Sequence, residues 1–365
     1  MKSLTAAQSD AIAFVSQHAE RRSAAAMRTI EEILRMSNIP RNWFDAAVGL
    51  LKRNARVALH FHPDRPDPTL TRVADAMLDQ GIYRNQFETS ISGGSVSAFP
   101  GGERDGWERS VFGGAYHRTG VQAVERPKYG ALDLTFRADG PAPRFGSCYF
   151  LLSPEASSRC TFTYLDSHDD PEEKGTLERF DDILAALLKD AFVSDTAIGA
   201  CDITPRTFLD HLVEKLRQPF VDPRAGVPSR NLNHYVEAQI HADVILADDV
   251  DILVADPSFT DTAVGDTLRA LCERYSIALY WHMGFVLEPA EVPQDFRGPT
   301  MPSLAHRVAR EGWVDASAIG AAAMNLKLNP AEWSDRGSYG EVLQELKLLW
   351  HVLVRYGRSY CATRS

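Results

Sequence analysis

The chain has 365 residues, 44% of them hydrophobic, 24% charged and 9% aromatic, and its 39 Lys and Arg against 49 Asp and Glu leave a formal net charge of −10. That length allows a sizeable core without disulfide or metal staples, and the apolar content excludes a disordered chain. The acidic balance excludes nucleic-acid binding by bulk charge, so a small anionic ligand would need a locally basic pocket.

From Leu4 to about Arg56 the chain reads as helix, broken at Pro40, with apolar stripes at Ile30, Ile33 and Leu34 and again at Trp43, Phe44, Val48 and Leu51. We assign 1–56 as an N-terminal helical cap, 57–298 as an α+β core and 299–365 as a C-terminal helical segment. Val57 to His62 is a short β-like run stopped by Pro63-Asp64, and Leu70 to Leu78 looks helical. The stretch from Ser90 to Gly120 is rich in Gly and Ser with Phe99, Trp107, Phe112 and Tyr116 interspersed, the pattern of a long functional loop.

Three strands are expected at Ala131 to Phe136, Ser147 to Leu152 and Cys160 to Tyr164, and their short connections favour antiparallel neighbours. Thr176 should cap a helix whose apolar face is Leu177, Phe180, Ile183, Leu184, Leu187 and Leu188. Tyr235 to His241 alternates as a strand does, and Ile252 to Ala255 and Ala278 to Phe285 are further strand candidates. Ser338 and Glu341 have capping-box spacing ahead of a last amphipathic helix. The five cysteines (Cys148, Cys160, Cys201, Cys272, Cys361) are widely separated and odd in number, which suits a reducing compartment. With no leader-like apolar run before Arg22 and no stretch of about 18 apolar residues, the expectation is a cytoplasmic protein without a membrane span. Export by a route that reads no cleavable signal stays open.

Four constellations carry chemistry. His60 and His62 stand at i and i+2, so a strand projects both from one face, and with Asp64 they could hold a divalent metal or an anion. The plainer reading pairs Asp64 with Arg65. Tyr83-Arg84 leads through amide and hydroxyl residues to Ser90, supplying the forked donors that phosphate recognition needs, unless Arg84 simply pairs with Glu88. Arg126, Lys128 and Tyr129 at a strand entrance could hold a phosphate and stack a flat ring, or form a solvated turn. Glu237, Gln239 and His241 share one strand face, either as a functional set or as the wet side of a half-exposed strand.

Together FHPDR (Phe61 to Arg65), YRNQFETSISGG (Tyr83 to Gly94), RPKYGALDL (Arg126 to Leu134) and YVEAQIH (Tyr235 to His241) resemble, over most of the chain, an uncharacterised bacterial domain-of-unknown-function family, number 3626. More distantly, Glu237 to Val244 followed by Val250 to Val254 is similar to the terminal strand of ADP-ribosyltransferases. That resemblance implies an α+β, mainly antiparallel, split-sheet core with NAD as substrate. It implies Arg84 as the NAD anchor, with His60 or His62 as the rival, Glu237 as the catalytic acid and Gln239 beside it. Ser90, Arg126, Lys128 and Tyr129 would complete the NAD site. The family's E-x-E or Q-x-E is here Glu237-x-Gln239 and no Ser-Thr-Ser strand is present, which leaves transfer to a protein, transfer to another acceptor and NAD hydrolysis all open. The rival readings are a metal-dependent hydrolase built on His60, His62 and Asp64, and a binding protein without chemistry.

Overall fold

The computed structural model describes residues 3–91, 98–218 and 228–360. Part of the Gly-rich stretch, with Gly93 and Gly94, and Cys361 lie outside them. Helix α1 (Ala6–Met36) opens with a capping box in which the Thr5 side chain accepts from the Gln8 backbone. Pro40 then stands at the N-cap of α2 (Arg41–Asn54), where its fixed φ and missing N–H cost nothing.

Eight strands form one sheet: β1 (Arg56–Phe61), β2 (Lys128–Asp133), β3 (Cys148–Leu152), β4 (Cys160–Tyr164), β5 (Lys174–Thr176), β6 (Val236–Ile240), β7 (Val250–Ala255) and β8 (Ala278–Trp281). Their order is β8-β7-β3-β1-β2-β6-β4-β5, hydrogen-bonded from edge to edge. The expected split therefore does not occur between these strands. All neighbours are antiparallel except β7 and β8, which are parallel and joined by helix α7 (Ala263–Tyr275), as a crossover requires. The fold is α+β and mainly antiparallel, as the sequence suggested.

The strands expected at 131–136, 147–152 and 160–164 exist, the first shifted toward its N-terminus, but they do not pair with one another. β1 lies between β2 and β3, and β6 lies between β2 and β4. Contrary to the antiparallel neighbours expected, all three point the same way, since β2 and β3 are each antiparallel to β1 and β2 and β4 are each antiparallel to β6. Two helices differ from expectation. Thr176 belongs to β5 and its hydroxyl accepts from Arg179 N at 3.2 Å, so it caps a turn ahead of α5 (Asp181–Val193) rather than the helix itself. Within the supposed loop at 90–120, Glu103–Val111 forms helix α4, with Gly102 at its N-cap and Glu103 and Asp105 in its first turn, where acidic groups favour the helix dipole. The remaining long helices are α3 (Val73–Gln80), α6 (Pro205–Lys215), α8 (Met301–Val308), α9 (Ala316–Leu328) and α10 (Tyr339–Tyr356), the last with the expected Ser338/Glu341 box.

Register sorts the strand residues onto two faces. Val57, Leu59, Phe61, Leu132, Phe150, Phe162, Val236, Ala238 and Ile240 belong to the main core. Ile30, Ile33 and Leu34 of α1, Phe44 and Leu51 of α2, and Leu346, Leu349 and Leu353 of α10 join that same core. The opposite face pairs His60 with Tyr149, Ala131 with Glu237, Tyr129 with Gln239, Thr161 with Gln239 and Thr163 with Glu237. One end of this face is therefore apolar and the other polar, and the polar end is where the chain builds a cavity. Among the described residues no helix is long and apolar enough to cross a membrane.

Candidate functional site

A cavity of about 450 Å³ opens at the polar end of the sheet, its lining including His60, His62, Arg84, Ser90, Tyr129 and Glu237. Six of the residues singled out in the sequence thus face one space, brought there from three strands or strand ends and from the 82–91 segment. The volume lies within the range of small-molecule sites.

Glu237 is 5% exposed. Gln239 Nε2 donates to its Oε1 at 2.9 Å, and Ser167 N approaches its Oε2 at 3.5 Å. Burial, followed by the nearby Asp166 carboxylate, pushes its carboxyl up to about 7. Gln239 is fully buried and serves as a strut: its Oε1 accepts from Thr161 Oγ1 at 2.8 Å and its Nε2 reaches Thr163 Oγ1 at 3.2 Å. His241 continues this buried row, bonded to Tyr116 Oη at 2.5 Å and Thr161 Oγ1 at 3.0 Å, and burial drives its imidazole down to about 3. The strand is thus neither half-solvated nor a row of three reacting groups. It is a satisfied polar ladder that holds Glu237 at the cavity.

Helix α4 explains the burial. Its Arg104 lies 4.5 Å over the Tyr129 ring and lines the cavity, while its Nε is buried without a hydrogen-bond partner. One turn on, Glu108 accepts from Tyr129 Oη at 2.9 Å and Arg126 Nη1 at 2.7 Å. Arg126 also binds Asp105 at 2.6 Å and stacks 4.2 Å over Phe87. Arg126 is therefore spent on fixing α4 to the sheet and does not line the cavity, contrary to expectation. Lys128 does not line it either: it is 1% exposed, donates to the carbonyls of Val124 and Ala242 at 3.3 and 3.2 Å, and burial lowers its ammonium below the usual lysine range. A charge buried against carbonyl oxygens is a structural clasp.

Arg84 reaches the cavity but is also held, by Gln80 Oε1 at 2.7 Å and Glu88 Oε1 at 2.8 Å, with 43% of its side chain exposed. Both sequence readings of Arg84 thus apply together. His60 sits under the backbone of 140–146: Ala142 N donates to its Nε2 at 3.3 Å, its Nδ1 lies 3.4 Å from Gly146 O, and burial lowers it to about 3. His62 meets the edge of Trp350 at 5.2 Å. Asp64 is turned away, toward Gly320 of α9, and both of its oxygens lack hydrogen-bond partners. Among the described residues no group of three or more His, Cys, Asp or Glu side chains could hold a metal, so the His60–His62–Asp64 set is not gathered for one.

A protein-family profile described as a protein of unknown function, DUF3626, matches residues 56–356. The chain belongs to the DUF3626 family. No curated protein matches it. The DUF3626 region contains all eight strands and every cavity residue named above, whereas α1 and α2 precede it. Within it the sequence reading missed Arg104 and Asp166, which also line the cavity. Arg104 is hidden in the sequence because the Gly- and Ser-rich surroundings of α4 read as loop. Asp166 follows β4 and is placed by Tyr235 Oη, which donates to its Oδ2 at 2.8 Å, a link between residues no local pattern connects.

Proposed function

We propose that this chain is an ADP-ribosyltransferase-like enzyme that takes NAD as substrate in the cavity beside Glu237. The observation that carries the reading is that this buried carboxylate lines a cavity shared with Arg84, Ser90, Tyr129 and His60. Breaking the bond between nicotinamide and ribose sends the electron pair out with nicotinamide and leaves positive charge on the sugar. A buried carboxylate beside that sugar favours the transition state over the ground state. Gln239 and the Ser167 backbone orient the carboxylate, and Arg84 and Arg104 offer cations to the diphosphate. An acceptor hydroxyl, carboxylate or water then closes the sugar carbon, giving transfer or hydrolysis.

The test is release of nicotinamide from NAD by the purified chain, followed by chromatography. Turnover should fall at least 100-fold in Glu237→Gln while circular dichroism is unchanged. A fully active Glu237→Gln protein, or a wild type that neither binds nor consumes NAD, overturns the proposal. Binding without consumption selects the second reading, a ligand-binding protein, which the prior engagement of Arg84 by Glu88 favours.

A further inference from the structure

One wall of the cavity takes no part in the chemistry at Glu237. It is helix α3, whose Val73, Ala76, Met77 and Gln80 all line the space. The spacing i, i+3, i+4, i+7 puts these four on one helix face. Another side of α3 is taken by α7, with Tyr275 Oη donating to Leu78 O at 2.8 Å and Thr267 Oγ1 to Asp75 Oδ1 at 3.0 Å. Ile82 and Tyr83 extend the lining past the end of the helix, and the Tyr83 ring meets Phe61, a further lining residue, edge-on at 6.4 Å. A mostly apolar wall with few polar groups is the kind that receives a flat ring.

Two carboxamides supply those polar groups. Gln80 Oε1 accepts from Arg84 Nε at 2.7 Å, which leaves its Nε2 as the donor it can offer a ligand. Gln86 also lines the cavity, and among the described residues its buried Oε1 has no hydrogen-bond partner. The backbone that carries Gln86 is fixed: Asn85 Oδ1 accepts from Phe87 N at 2.8 Å and Glu88 N at 3.1 Å, and Asn85 Nδ2 donates to Ala123 O at 2.8 Å. Arg84 ties the two carboxamides together, since it bonds both Gln80 and Glu88. A buried acceptor held in place without a donor is a vacancy that a ligand N–H fills.

The wall stands away from Glu237. Ala58, Ala131 and Glu237 are level across β1, β2 and β6. α3 begins past the end of β1, where Ala74 N donates to Pro63 O at 2.9 Å, and Tyr83 pairs with Val244, past the same end of β6. From Glu237 to Phe61, the last residue of β1, is two strand spacings across and three residues along, about 14 Å. That is too far for a base bonded directly to a sugar beside Glu237. It suits the second base of a dinucleotide, on the far side of the diphosphate.

We propose that the α3 face, with Gln80 and Gln86, is a subsite for an adenine ring, whose exocyclic amine donates to Gln86 Oε1 while a ring nitrogen accepts from Gln80 Nε2. Adenine presents such a donor beside an acceptor, and carboxamides are its usual partners. The assignment rests on the NAD reading for the identity of the whole ligand and gives that reading its second base. Hypoxanthine has the same shape but carries a carbonyl where adenine has the amine, which sets an acceptor against Gln86 Oε1.

The probes are adenosine and inosine, which carry no phosphate for Arg84 or Arg104, titrated into the full chain and followed by ligand-observed NMR. Wild type should bind adenosine at least tenfold more tightly than inosine. Gln86→Met keeps the length and removes the acceptor, so it should weaken adenosine binding at least tenfold and erase the preference. Gln86→Glu can only accept and should keep it. Since Gln86 Oε1 makes no bond in the unliganded chain, Gln86→Met should melt as wild type does, and the wild-type comparison of the two nucleosides needs no variant. No adenosine binding by wild type, equal binding of the two nucleosides, or an unchanged preference in Gln86→Met overturns the subsite, even where NAD is consumed. Preferential adenosine binding with NAD left intact keeps the subsite and discards the reaction.

Discussion

At neutral pH the Glu237 carboxyl stands between its two protonation states, because burial and Asp166 hold it near 7 against an ordinary 4.5. From pH 4.5 to 7 the folded chain keeps a proton that the unfolded chain has released. The contribution of this residue to stability therefore declines as pH rises through that window, and its full cost, on the order of 3 kcal/mol, is present above pH 7. Gln carries no charge to bury. Glu237→Gln should accordingly melt higher than wild type at pH 8, with the gain vanishing at pH 4, where both states are protonated in wild type. An equal difference at the two pH values would show that the carboxylate charge is not the source. If NAD cleavage uses the carboxylate, wild-type turnover should rise with pH through about 7, opposite to the stability trend. Arg84 behaves differently: 43% of its side chain is exposed, and although the Glu88 side chain is only 9% exposed it keeps its bond from Asn85 N at 3.0 Å, so Arg84→Ala should cost only about 1 kcal/mol in a urea titration while raising KM for NAD.

Two glycines separate what strands and helices tolerate. Gly130 lies in β2 between β1 and β6, and a Cβ there would stand 2.5 Å from the Ala58 carbonyl oxygen, a backbone atom in a central strand. Gly130→Ala should therefore destabilise by about 1–3 kcal/mol and disturb Tyr129 and the cavity beside it. Gly106 sits inside α4 with nothing within 4 Å of its would-be Cβ. Gly106→Ala should stabilise by roughly 0.5–1 kcal/mol. Urea midpoints of the two variants check both signs. Gly106 also shows why α4 escaped the sequence: a helix with Gly at its cap and in its middle, in a Gly- and Ser-rich neighbourhood, has no periodic apolar face to announce it. By contrast β1, β4, β6 and β7 were legible, because alternation or apolar runs within each strand are local signals. Glu237, Gln239 and His241 could be read as one face, but the sequence could not say what covers that face. The answer is α4 and the turn around Tyr116, held across the sheet by Glu108, Arg126 and His241. The engagement of Arg126 and Lys128 away from the cavity is illegible for the same reason: their partners come from other elements.

Among the described residues the main hydrophobic cluster takes in side chains of α1 and α2 together with those of the strands. The family match begins at Arg56, yet Ile30, Ile33, Leu34, Phe44 and Leu51 from the preceding helices are 0–4% exposed within the same core as the strands. Polar ties run alongside: Arg22 Nε to Asp182 at 2.6 Å, Trp43 Nε1 to Asp210 at 2.7 Å and Asn54 Nδ2 to Leu216 O at 2.7 Å. They bind α1 and α2 to α5 and α6, the helices that back the sheet. At about 1.5–3 kcal/mol for each large side chain taken out of water, those five residues contribute on the order of 10 kcal/mol, comparable to the whole stability of an ordinary domain. A chain shortened to begin at Arg56 should therefore lose cooperative unfolding, bind a hydrophobic dye and aggregate, although it retains the complete family match and every cavity residue. Calorimetry of the shortened chain decides the matter: a single sharp transition near the full-length melting temperature would show that the matched region folds alone and that the two helices only decorate it. The expected loss instead places the integrity of the Glu237 cavity under the control of helices that contribute no residue to it.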